Sequence, residues 1–138
     1  AVLATQVGAT ALTTDSAVPL SRLPEAVEYA QQVFDDQPFS WSVLGHVADG
    51  NFHALLMFDP NDEKAYLAAK AASTKLTTRV IELGGTCTGE HGIGLGKRDS
   101  LVNQVGSETI ELMRSVKNTF DPGNILNPGK ILFPKESA

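Results

Sequence analysis

Gly45-His46-Val47-Ala48-Asp49-Gly50-Asn51-Phe52-His53 holds an Asp-Gly pair between two runs of alternating residues. That is the strongest short-range signal for a β-hairpin, because a type I′ turn needs φ > 0 at both central positions. With Asp49-Gly50 as the turn, Ala48 faces Asn51, Val47 faces Phe52 and His46 faces His53. Opposed residues on an antiparallel pair have Cβ atoms roughly 4.5–5.5 Å apart, so two imidazoles can reach one metal ion.

Alternation along the flanking strands supports this register. One face collects Val43, Gly45, Val47, Phe52, Ala54, Leu56 and Phe58, an apolar or small set suited to packing on helices. The other collects Ser42, Leu44, His46, Asn51, His53 and Leu55. A slip of one residue would turn both histidines into the helix-facing core.

Downstream, Gly84-Gly85-Thr86-Cys87-Thr88-Gly89-Glu90-His91-Gly92-Ile93-Gly94 is a glycine-dense loop with a carboxylate and an imidazole side by side. A regular strand sends neighbours to opposite faces, whereas glycine at 89 and 92 frees the backbone to aim both inward. Glu90 then completes a His46/His53/Glu90 set. Three protein ligands leave a position open for substrate or water, the arrangement of a catalytic rather than a structural metal. His91 is left as the general base.

The remaining chain reads as alternating elements. A strand near Ala11–Val18 leads through Pro19 to a helix from about Ser21, whose hydroxyl is the expected N-cap, with Leu23, Val27, Ala30 and Phe34 on one face. After the hairpin, a long helix begins near Asp59-Pro60-Asn61. Its inward stripe is Tyr66, Ala69, Ser73, Leu76, Val80 and Leu83, and Gly84-Gly85 ends it. Thr86 to Glu90 is the last short strand. The order β-α-β-β-α-β predicts an α+β ferredoxin-like sandwich. It is followed by a C-terminal helix, about Ser107 to Phe120 with Ile110, Met113 and Val116 inward, and an extended tail from Asn124 that needs a partner domain to order it.

Three separated runs, Gly45 to His53, Thr88-Gly89-Glu90-His91-Gly92-Ile93-Gly94, and Phe120-Asp121-Pro122-Gly123-Asn124-Ile125-Leu126-Asn127-Pro128-Gly129-Lys130, resemble in order the C-terminal part of FAD-linked 2-hydroxy-acid oxidoreductases. These are the D-lactate dehydrogenase, glycolate oxidase and D-2-hydroxyglutarate dehydrogenase group of the vanillyl-alcohol-oxidase-like flavoproteins. The likeness begins at Asp15-Ser16-Ala17-Val18-Pro19 and spans nearly the whole chain. It implies a divalent, zinc-like metal held by His46, His53 and Glu90, with His91 acting on the substrate hydroxyl. It also implies that Asn127 and Lys130 contact FAD. Ala48 stands where the group usually has glycine. Leu55 stands where some members have a polar substrate-binding residue, which leans toward a short monocarboxylic acid such as lactate.

On this reading residues 1–138 are the substrate-and-metal domain of an FAD-linked dehydrogenase or oxidase that converts a small D-2-hydroxy acid, D-lactate or glycolate, to its 2-oxo acid. FAD is held mainly by a separate domain of the same full-length chain, so the 138 residues alone are expected to be inactive. Gly92, Gly94 and Gly96 do not make a dinucleotide fingerprint, since Asp99 occupies the third glycine position. Nor is Gly96-Lys97-Arg98 a phosphate loop, lacking Ser or Thr after Lys97. Lys97 and Arg98 read as a solvated segment start. Two other classes stay open from the residues themselves: a metal-dependent hydrolase using the same ligands, and a non-catalytic ferredoxin-like binding module.

Composition bounds the rest. With 138 residues, 42% of them hydrophobic, the chain suffices for one compact domain. A net charge of −5 with interspersed signs argues against nucleic acid as a partner. The single Cys87 argues against an internal disulfide. With no long apolar run and no cationic leader, the expected location is cytoplasmic or peripheral to a membrane, not secreted. The electron acceptor and self-association into a homo-oligomer are not specified by any motif.

Overall fold

The computed structural model describes residues 8–134. The chain divides into two compact units, Ala1–Glu90 and His91–Ala138. In the first, the element order is β1 (Thr10–Thr13), β2 (Ser16–Ala17), α1 (Leu23–Phe34), β3 (Ser40–His46), β4 (Asn51–Phe58) and α2 (Glu63–Glu82). β4 is central, antiparallel to β3 on one side and to β1 and β2 on the other. β1 and β2 are two pieces of the expected first strand and keep one register, Thr13 against Leu55 and Ser16 against Phe52. The expected last strand, Thr86 to Glu90, is reduced to a single antiparallel bridge between Ala17 and Thr86. The fold is α+β with an open antiparallel sheet, and its pairing order is that of a βαββαβ sandwich whose final strand is vestigial.

One sheet face and the two helices form the core. Phe52, Ala54, Leu56 and Phe58 from β4 meet Leu23, Ala26, Ala30 and Phe34 from α1 and Ala65, Ala69, Ala72, Leu76 and Val80 from α2. The alanines let the helices approach the sheet closely. The aromatic side chains fill one end, with the Phe34 ring 6.2 Å from Phe39 and 5.8 Å from Trp41. Burying each large side chain is worth about 1.5–3 kcal/mol.

Several boundaries differ from the sequence expectation. Ser21 does not cap α1; a short 3-10 turn, Leu20–Arg22, precedes it and the helix starts at Leu23 with Pro in its first turn. Asp62 is the true cap of α2, its carboxylate accepting the Ala65 N–H at 3.0 Å. Tyr66 is 44% exposed, although its ring packs 5.9 Å from that of Phe58. α2 ends as expected at Gly84-Gly85: the Gly84 N–H donates to the Ile81 carbonyl and the Gly85 N–H to the Val80 carbonyl, the pair of bonds of a Schellman end.

The hairpin turn is not the expected two-residue one. Val47–Asp49 form a 3-10 turn, and only Gly50 has a left-handed backbone, φ 71°. Asp49 therefore avoids the strained conformation that a type I′ turn would impose on it. The loop lengthens to four residues and the register moves by two: His46 pairs with Asn51, and Leu44 with His53. Gly50 is required twice over, because a Cβ there would also lie 2.2 Å from the Val18 carbonyl oxygen.

The second unit contains α3, Arg98–Phe120, interrupted at Gly106, whose φ of 78° and ψ of 162° are not helical. The expected helix from Ser107 is its second half. Ile110 is buried as expected, but Met113 and Val116 are exposed. The tail is tied back within its own unit. The buried Asp121 carboxylate accepts the N–H groups of Ile125 and Leu126. Arg98, far from being solvated, donates to the Gly129 carbonyl at 3.0 Å and lies 4.4 Å over the Phe133 ring.

Candidate functional site

The sheet face away from the helices carries Asp15, Leu44, His46, Asn51 and His53. A register shift of two preserves the side-chain alternation, so His46 and His53 remain on one face although they are diagonal rather than opposed. Their rings stand 6.3 Å apart between centroids, at 86°. His46 is exposed at the end of β3, whereas His53 in the central strand is only 6% exposed.

His53 is held by a local break in the strand ladder. The Ala54 N–H donates to the Thr14 hydroxyl at 2.8 Å rather than to the Thr14 carbonyl. That carbonyl instead lies 3.2 Å from His53 Nδ1. A ring nitrogen facing a carbonyl must be the N–H, so Nδ1 donates and the neutral ring's lone pair is on Nε2. Nε2 faces Glu90 Oε1 at 3.0 Å.

Two acceptors at that distance repel unless a cation lies between them, either a proton or a metal ion. The 3.0 Å separation is that of a shared proton, and donors bound about 2.0–2.2 Å from one tetrahedral ion would stand somewhat further apart, roughly 3.3 Å. His46, His53 and Glu90 offer two nitrogens and one carboxylate oxygen, all within 4.8 Å of one another. Nitrogen and oxygen donors of this kind suit a zinc-like divalent ion. The three residues named from the sequence thus lie together at one sheet face, and the Thr14 carbonyl behind His53 orients its ring.

Sequence reasoning missed Asp15. It is 1% exposed, and the common register of β1 and β2 sets it opposite His53, with Oδ1 3.7 Å from Nδ1. Its Oδ2 accepts the Thr88 hydroxyl at 2.7 Å, the Gly89 N–H at 2.9 Å and the Glu90 N–H at 3.1 Å. Gly89 fits there because it has no Cβ, which would lie 2.4 Å from Asn51 Oδ1 and 2.8 Å from Asp15 Oδ1. The available signal was a carboxylate between Thr14 and Ser16 inside a predicted strand, where Asp is depleted. Beside it, the Asn51 side-chain oxygen is buried with no hydrogen-bond partner among the described residues.

The other predicted residues fall in the second unit. His91 is its first residue, exposed and one peptide bond beyond Glu90. Asn127 has a left-handed backbone, φ 46°, and its carbonyl accepts the Lys130 N–H at 3.2 Å; both side chains are exposed. Among the described residues no helix is long and apolar enough to cross a membrane.

The sequence profile described as "FAD linked oxidases, C-terminal domain" matches residues 1–131. This chain belongs to that family. It is 42% identical over 132 residues, 96% of its length, to the "Probable D-lactate dehydrogenase, mitochondrial" of Danio rerio, covering 27% of that protein. With the "D-lactate dehydrogenase [cytochrome], mitochondrial" of Arabidopsis thaliana the identity is 39% over 92% of the chain and 22% of the relative. With the "Glycolate oxidase subunit GlcD" of Bacillus subtilis (strain 168) it is 35% over 93% of the chain and 27% of the relative. The chain spans about a quarter of the length of these curated relatives.

Proposed function

We propose that this chain is the substrate-and-metal domain of an FAD-linked dehydrogenase or oxidase that converts a small D-2-hydroxy acid, D-lactate or glycolate, to the 2-oxo acid. The observation that carries the reading is the approach of His53 Nε2 to Glu90 Oε1, 3.0 Å, with His46 alongside. Family membership favours an oxidoreductase over the hydrolase and the plain binding module, and the relatives' names supply the substrate class.

His46, His53 and Glu90 would hold one zinc-like divalent ion, three protein ligands that would leave room for the acid. A bound divalent ion supplies Lewis acidity toward the hydroxyl and carboxylate oxygens, and bound FAD supplies the hydride acceptor. His91 takes the hydroxyl proton while the Cα hydrogen leaves with its electron pair. Asn127 and Lys130 are the residues of this chain that would contact FAD, with the rest of its site supplied by another domain of the full-length protein. Leu55, half-buried, offers no second polar anchor, consistent with a monocarboxylic acid.

The test is made in the full-length enzyme with D-lactate. His91→Ala should lower kcat by about 10²–10⁴-fold, the worth of a positioned base, with metal content unchanged. Glu90→Ala should lose metal and activity together. Loss of metal in His91→Ala with retention in Glu90→Ala would reverse the two roles.

A further inference from the structure

We propose that Asp15 is the positioning residue of the site, a buried carboxylate that builds the ligand geometry from behind. The inference rests on the reading of His46, His53 and Glu90 as metal ligands. Glu90 is the least anchored of them: it lies on a loop, its side chain about half exposed, and no regular strand fixes the backbone that carries it. What fixes that backbone is Asp15, which takes the Thr88 hydroxyl and the N–H groups of Gly89 and Glu90 in consecutive order. These contacts join residues 73 to 75 positions apart.

The same carboxylate lies 3.7 Å from His53 Nδ1, on the side of the ring away from Glu90. One group therefore orders the loop that bears the carboxylate ligand and stands behind the imidazole ligand. A buried carboxylate is costly unless hydrogen-bonded, and here three donors from the loop satisfy it. Its charge also matters. Glu90 alone leaves a divalent site with one compensating negative charge, and Asp15 supplies the second at close range, where low polarity strengthens the attraction. Supporting groups behind metal ligands are typically worth about 10–100-fold in affinity.

Asp15→Asn keeps the volume but turns an NH₂ group toward N–H and O–H donors. Zn²⁺ titration of the 138-residue chain and of this variant should show affinity falling roughly 10–100-fold. Amide exchange at Gly89 and Glu90 should accelerate, while exchange in α1 and α2 stays as in the parent. The visible spectrum of the Co²⁺-loaded chain should change in the variant, which a purely structural role would not cause. Thr88→Val, which removes one donor and leaves the carboxylate, should weaken binding less. Unchanged Zn²⁺ affinity in Asp15→Asn, with the parent binding, overturns this proposal alone. A parent chain that takes up no Zn²⁺ overturns the metal reading and this proposal with it. General unfolding of Asp15→Asn together with full affinity in Thr88→Val would reduce Asp15 to a stability residue and overturn its positioning role.

Discussion

His53 Nε2 and Glu90 Oε1 stand 3.0 Å apart, although the other ring nitrogen has already committed its proton toward the Thr14 carbonyl. The strand ladder creates this conflict by giving the Ala54 N–H to the Thr14 hydroxyl and so releasing that carbonyl. A backbone detail between β1 and β2 thereby sets which nitrogen of a histidine in β4 faces Glu90.

Gly89→Ala should damage the site and the fold together. A Cβ at 89 meets Asn51 Oδ1 at 2.4 Å and Asp15 Oδ1 at 2.8 Å, and both side chains are buried. Overpacking of this kind costs about 1–3 kcal/mol, measurable by urea unfolding. Zn²⁺ affinity should fall in parallel. Parent-like stability and affinity would show that the loop does not approach Asp15 this closely.

Asp121 should make the C-terminal turn acid-sensitive. The hydrogen bond from Lys117, joined by the N–H groups of Ile125 and Leu126, holds its carboxyl below the ordinary 3.8, against the opposing push of desolvation. A carboxyl depressed in the folded state stabilises above its unfolded value and loses that contribution as pH falls through the folded one. Amide exchange and chemical shifts of Ile125 and Leu126 should therefore be constant from neutrality down to about pH 4 and change below 3.8. Asp121→Asn should show the altered shifts already at neutral pH. Identical behaviour of the parent and Asp121→Asn at every pH would refute the cap.

The 138 residues incubated with FAD and D-lactate should show no turnover. Nothing in their sequence makes a dinucleotide fingerprint, and free flavin lacks the orientation that gives effective molarities of ~10⁵ M or more. Flavin reduction by D-lactate above the rate of buffer alone would contradict the division of labour between domains.

How far the sequence could be read depended on the range of the interactions. The two-residue turn was misassigned, yet His46 and His53 kept their common face, because strand alternation has a period of two and the register moved by two. Helix α2 was legible from the Ala69, Leu76, Val80 and Leu83 part of its stripe and from its Gly84-Gly85 end, while its cap fell at Asp62. The role of Asp15 was not, since it arises only when residues 88 to 90 come back against the first strand. The first half of α3 was hidden for a related reason: Lys97 provides no side-chain cap, so no local signal marks its start. The tail looked unstructured because Asp121, Arg98 and Arg114 order it through side-chain bonds to its backbone, which leave no periodicity.

The central claim is tested most directly by calorimetric titration of Zn²⁺ into the purified chain, beside His46→Ala and His53→Ala with helical content checked by circular dichroism. About one ion per parent chain and none in either folded variant is the expected result. Equal uptake by the parent and both variants, or none by the parent, would contradict it.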